Sequence, residues 1–181
     1  AAATEGIKLG MGLATAAALY ADLCVHPHNA DIEAKKLQEI SHALYTVTSD
    51  ISICAPQGLL LRISHMLTLY KDLRHYWRVI SAQLKALPYS YRFSTAYSPL
   101  AASLLATAGA NKIYQNPKKI LSILKSRTLP ETTLSAKQIE QLKRVGIKTL
   151  RQLFDIPLAE LAKRFDADLV NYMGQLSGQF Q

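Results

Sequence analysis

The sequence predicts an α+β protein: a small antiparallel sheet carrying helices on one face, followed by an all-helical unit. Three observations predict it. Residues 50–63 read "DISICAPQGLLLRI", two runs in which Ile51/Ile53 and Leu59/Leu61/Ile63 alternate with the period of strands around a break at Pro56, Gln57 and Gly58. Met66, Leu69, Leu73, Tyr76, Ile80, Leu84 and Leu87 then recur at three- and four-residue steps, the spacing of one helix face. Beyond residue 128 the apolar spacing is helical throughout.

The chain of 181 residues is 49% hydrophobic and 19% charged, enough to bury a real core and too apolar for a disordered segment. Its net charge of +8 is uneven, because residues 112–181 hold 12 of the 21 basic and 6 of the 13 acidic side chains. A basic C-terminal third points to a polyanion, and to nucleic acid before membrane, since no basic amphipathic helix has an aromatic face. Cys24 and Cys54 are too few and too poorly spaced for a disulfide framework or a zinc site, and their apolar surroundings predict buried thiols in a reducing, cytoplasmic setting. "IKLGMGLATAAALYADL" imitates a secretion signal, but it is rich in Ala, Gly and Thr, and no apolar run reaches the roughly 20 residues of a membrane span. The absence of an initial Met suggests a segment of a longer protein.

In order, the elements are an alanine-rich helix at 11–21, an extended run "LCVHP", and a helix capped by Asp31 with Leu37, Ile40 and Leu44 on one stripe. The two strands follow, then one helix from about His65 to Leu87, a third strand "YRFSTAYS", and a helix from Pro99 to about Ala108. This order is ferredoxin-like and needs one further strand before Asp31, for which "LCVHP" is the candidate. His26 and His28 of "HPHN" have no third ligand nearby and read as a surface turn. His65 and His75 read as incidental, and Tyr76, Trp77 and the aromatics of "YSYRFSTAYS" as sheet packing. No metal or cofactor is expected.

After Ala110 the character changes. Asn116 caps a helix beginning at Pro117, and a boundary falls in 111–128, dividing an α+β unit at 1–110 from a helical unit at 129–181. Ser135 with Gln138, and Thr149 with Gln152, are capping boxes, and Gly146 between them is suited to a left-handed helix end. The product is a helix, a Gly-centred hairpin and a helix, packed by a third helix carrying Leu158, Leu161, Ala162 and Phe165. Lys143, Arg144, Lys148 and Arg151 surround the hairpin, and free N–H groups at the helix start of Thr149 would face a phosphate. Lys143, Arg144, Gly146, Lys148, Thr149 and Arg151 are therefore the candidate DNA-binding residues.

Four stretches together resemble the Y-family, or translesion, DNA polymerases, and more closely their ImuB-like accessory branch. "GIKLGMGLATAAALYADLCVHP" is similar to the family's junction of fingers and palm, and "APQGLLLRIS" to its catalytic hairpin, S-x-D-E-x-x-L-D-x-T. "STAYSPLAASLLA" falls on the family's G-i-A-x-N-K-L-L-A-K helix, and "LKRVGIKTLRQLFDIP" on the thumb's L-x-x-L-G-I-x-T-x-x-D-L-x-x-L-P. The resemblance implies the end of the fingers, a ferredoxin-like palm and a helix-hairpin-helix-like thumb.

It also implies lost chemistry. Gln57 and Gly58 stand where the family has its catalytic Asp-Glu pair, and Arg62 where it has a second Asp on that strand. Pro99 and Ser103 stand where the family's helix has Lys, Ser103 at the one that would meet the triphosphate. Two-metal nucleotidyl transfer needs carboxylates to hold two cations about 4 Å apart, which an amide and a glycine do not supply. The first strand, bearing the other metal Asp, is not in the sequence, and the first thumb hairpin has Thr133–Ser135 where the family has Gly-Val-Gly. The expectation is a non-catalytic module in DNA damage tolerance that keeps the hairpin as core and binds primer-template weakly without sequence preference. Implied partners are a replicative-type polymerase, a RecA-like protein and the sliding clamp. Gln152, Leu153 and Phe154 of "RQLFDIP" read as helix rather than a clamp peptide. Rival readings are a working nucleotidyltransferase with metal ligands outside these residues, and a purely protein-binding scaffold.

Overall fold

The hairpin forms where the alternation places it. In the computed structural model, which describes residues 2–8, 10–56 and 58–180, strands β1 (Ile51–Cys54) and β2 (Gly58–Leu61) pair antiparallel, Ile51 opposite Leu61 and Ile53 opposite Leu59. Directly opposed residues share a face. Ile51, Leu59 and Leu61 pack against Leu44, Val47, Tyr76 and Ile80, contributed mainly by helices α2 (Ala30–Leu44) and α4 (Leu73–Lys85). The α+β class holds, with a two-stranded sheet among the described residues.

Several local expectations change. Helix α1 spans Leu13–Leu19 and buries Ala16 alone, while "LCVHP" pairs with no strand. Val25 stays 52% exposed, and Pro27 removes a ladder donor from a run too short to bury a face. Asn29, not Asp31, caps α2, accepting from the N–H groups of Asp31 and Ile32 at 3.1 Å each. Asp31 sits instead in the first turn, where the helix dipole favours a carboxylate.

The expected helix over 65–87 is broken. A 3-10 turn (Ser64–Met66) and the four-residue α3 (Leu67–Tyr70) end at Lys71, whose φ is +67°, and Asp72 then caps α4 by accepting from the His75 N–H at 2.7 Å. A carboxylate that can satisfy the helix-start donors begins a new helix after the break. Cys24 is exposed and Cys54 half-buried, so neither is the buried thiol expected.

"YRFSTAYS" is extended but joins no sheet. Ser94 makes a single bridge to Lys112, the Thr95 hydroxyl donates to the Tyr114 carbonyl and accepts from its N–H, and the Phe93 N–H donates to Asn111 Oδ1. Hydroxyl and amide side chains replace the ladder here. The aromatics of 89–97 do not pack on a sheet as expected: Phe93 stacks on Trp77 at 4.0 Å between ring centroids, while Tyr89, Tyr91 and Tyr97 stay exposed.

The remaining helices are α5 (Pro99–Thr107), α6 (Pro117–Lys125), α7 (Ala136–Arg144), α8 (Leu150–Phe154), α9 (Leu158–Arg164) and α10 (Ala167–Ser177). A second core collects residues from all six, including Leu105, Leu124, Leu142, Leu153, Leu161 and Leu176, each fully buried. Helix α5 thus packs with the C-terminal helices, and apolar contacts cross the region between residues 107 and 117. Leu161 packs as expected, whereas Ala162 is exposed. Helix α10 was not anticipated, although Asp166 caps it at 2.9 Å and Leu169, Met173 and Leu176 mark its inner face.

Candidate nucleic-acid interface

Helices α7 and α8 meet at Gly146 through a turn that the sequence specifies residue by residue. The Gly146 N–H donates to the Lys143 carbonyl at 3.0 Å and the Ile147 N–H to Leu142 at 2.9 Å, the two bonds of a Schellman helix end, with Leu142 and Ile147 sharing one core. Gly146 has φ +84°, and no atom lies within 4 Å of where a Cβ would stand. Gly146→Ala should therefore cost about 1–2 kcal/mol through backbone conformation alone, measured as a shift in the denaturation midpoint at constant m.

Around this turn Lys143, Arg144, Lys148 and Arg151 are exposed and Thr149 is half-buried. Arg144 Nε faces Glu140 Oε1 at 3.4 Å, whereas Lys143, Lys148 and Arg151 form no ion pair among the described residues. Four of the six acids of residues 112–181 are engaged with cations, in the pairs Lys125–Asp155, Arg127–Glu131, Arg144–Glu140 and Lys163–Glu160. The hairpin therefore presents an excess of uncompensated positive charge.

The backbone donors behave differently from expectation. Gln152 Oε1 accepts from the N–H groups of Lys148 at 2.7 Å and Thr149 at 3.2 Å, and the Leu150 N–H donates to the Arg127 carbonyl at 3.2 Å. The N–H of Gln152 itself is taken by Thr149 Oγ1 at 3.4 Å. The capping box thus takes the N–H groups of Lys148, Thr149 and Gln152, and Arg127 that of Leu150, so that long cationic side chains are the main donors this surface offers a phosphate. The alternative hairpin at Thr133–Ser135 borders a depression also lined by Lys137, Asp166 and Asp168, and those two carboxylates oppose a phosphate there.

At the β1–β2 hairpin, Gln57 lies outside the described residues. Gly58 opens β2, and Arg62 follows the strand with its guanidinium 3.9 Å from the Asp50 carboxylate, both side chains open to solvent. Ser103 sits half-buried on α5, in another element, accepting from the Thr107 hydroxyl at 2.9 Å through its carbonyl. Cys24 Sγ lies 3.3 Å from His26 Nε2, while His28 turns to Glu33 at 3.1 Å, so the two histidines do not converge. No three His, Cys, Asp or Glu side chains cluster at metal-binding distance among the described residues.

No family model and no curated protein matches the chain. Solved structures do. The insertion ternary complex of Dbh DNA polymerase superposes with a TM-score of 0.77 at 17% identity, over 99% of this chain and 54% of that one. DinB from Sulfolobus solfataricus gives 0.73 at 15% identity, over 99% and 55%, and a DinB family error-prone DNA polymerase from the same organism gives 0.71 at 17% identity, over 98% and 55%. The chain thus spans little more than half the length of these enzymes, and its fold is that of a Y-family DNA polymerase over that length.

Proposed function

We propose that this chain is a non-catalytic, polymerase-like module of the ImuB-like kind, which holds DNA through its phosphates and helps bring a separate polymerase to damaged templates. The observation that carries the non-catalytic reading is Gly58, which has no side chain in the place where the resemblance requires a catalytic carboxylate, while Arg62, past the far end of the same strand, takes the place of a further Asp and pairs with Asp50. A strand without carboxylates at those positions does not offset the charge of the two divalent ions of the two-metal mechanism. DNA contact is supported by the uncompensated Lys143, Lys148 and Arg151 and by a fold shared with DNA polymerases, of which Dbh is seen in two ternary complexes. In the same reading, 1–110 is the end of fingers and palm, 111–128 a link and 129–181 a thumb, acting in the cytoplasm with a replicative-type polymerase, a RecA-like protein and the sliding clamp as partners. Among the described residues no helix is long and apolar enough to cross a membrane.

Primer extension with magnesium or manganese tests the catalytic half. No extension is expected from the chain, and calorimetry should show only weak, nonspecific metal binding. Metal-dependent extension by the whole protein, abolished by changing carboxylates outside these residues, would establish a working nucleotidyltransferase instead.

A further inference from the structure

We infer that the groove between α6 and α8 is a second phosphate-binding track, continuous with the hairpin through Arg151 and suited to the backbone of DNA; this rests on the DNA-binding reading above. Lys118, Ser122 and Lys125 lie at i, i+4 and i+7 on one face of α6, and with Leu121 and the Arg151 of α8 they line a single open cleft. None of these positions was among the candidate DNA-binding residues except Arg151.

The charge and spacing suit a nucleic-acid strand. From Lys118 to Lys125 the helix rises about 10 Å, the extent of roughly three phosphates at about 3.4 Å of axial rise per strand. Lys118 is exposed and makes no ion pair among the described residues, as does its neighbour Lys119 on the same helix. Ser122 adds a hydroxyl, which donates to phosphate oxygens as readily as to water. Leu121, 36% exposed, gives the cleft an apolar patch against which a sugar can rest.

One carboxylate stands at the edge. Asp155, at the C-terminal end of α8, accepts from Lys125 Nζ at 2.6 Å, and the Lys125 side chain is 25% exposed against 58% for Asp155. This acid is an internal competitor: it holds the deepest cation of the groove, and a phosphate must share Lys125 with it or displace it. The arrangement makes Asp155 a brake on anion binding, and its removal a gain rather than a loss.

Three variants of this chain separate the groove from the hairpin, measured by fluorescence anisotropy with labelled single-stranded and duplex DNA across a salt series. Arg151 is left intact in all three, because both surfaces use it. Lys118→Ala/Lys125→Ala should weaken binding about tenfold near 0.1 M salt and flatten the slope of log K against log salt by about 1.8 on duplex. Asp155→Asn should strengthen binding severalfold, a direction that misfolding cannot produce. Lys143→Ala/Lys148→Ala reports on the hairpin alone. Groove variants that bind like the parent protein overturn the track, whether or not the hairpin variant loses affinity, and no binding by the parent protein overturns both. Weaker binding by the groove double variant with gain in Asp155→Asn upholds the track even if the hairpin variant is silent, in which case only the hairpin reading falls.

Discussion

Tyr76→Ala should destabilise the protein by about 3–5 kcal/mol, the cost of emptying an aromatic site in a packed core. Tyr76 has no exposed surface, stacks on Tyr70 at 4.6 Å, and is one of four buried side chains in the cluster under the hairpin, with Leu44, Val47 and Ile80. So small a core has little to fill the cavity with. Tyr76→Phe is the control. The hydroxyl is buried, and the neighbouring Thr48 hydroxyl stands outside good hydrogen-bond geometry. Burial pushes the phenol pKa upward, and Thr48 offsets this in part. Removing an oxygen so poorly satisfied should change stability by less than about 1 kcal/mol. Urea denaturation of both variants checks this. Equal, large losses would show that the hydroxyl, not the ring, holds the site. Amide exchange should accelerate chiefly in α2, α4 and the hairpin, because Tyr76 lies outside the cluster formed by the later helices.

Neutralising Lys143, Arg144, Lys148 and Arg151 together should lower affinity for every DNA sequence alike, since phosphate contacts carry no base information. Each phosphate-bound cation removed should flatten the salt slope by about 0.9 on duplex or about 0.7 on single strands. The four are not equivalent. Arg144 is shared with Glu140, so Arg144→Ala alone should matter least, and Arg151→Ala most, because Arg151 also faces the α6 groove. Thr149→Ala should act by another route. Its hydroxyl caps α8, so the loss is about 1 kcal/mol of stability with little change in the salt slope. An unchanged affinity in the quadruple variant, with circular dichroism confirming a folded protein, would leave the positive charge as a solubility device and favour a protein-binding scaffold.

How legible each part was depends on the range of the interaction behind it. The hairpin, the capping boxes at Ser135 and Thr149, the Gly146 turn and the caps of α5 and α6 all depend on residues a few positions apart. Asp72 belongs to the same class, since its cap to His75 spans three residues and was there to be seen. The signal was outweighed by a seven-residue apolar series that ran on through the break. Asp166 and the Leu169, Met173 and Leu176 face of α10 were legible in the same way. By contrast, "YRFSTAYS" had the alternation of a strand, and nothing local revealed that its partners would be Asn111, Lys112 and Tyr114 through side chains.

The sequence by itself determined the α+β class, the hairpin at 51–61, the capped helices of the last third and its basic balance. These follow from residue type and from bonds closed within a turn or two of chain. Tertiary structure alone decided that α5 joins the C-terminal core, that Arg62 meets Asp50 across the hairpin, and that Lys118, Lys125 and Arg151 line one groove with Asp155 at its edge. It also decided that the Leu150 N–H at the start of α8 is occupied, because it finds its acceptor in the Arg127 carbonyl, 23 residues away. Such pairings depend on where packed helices place distant residues, and local spacing carries no record of that.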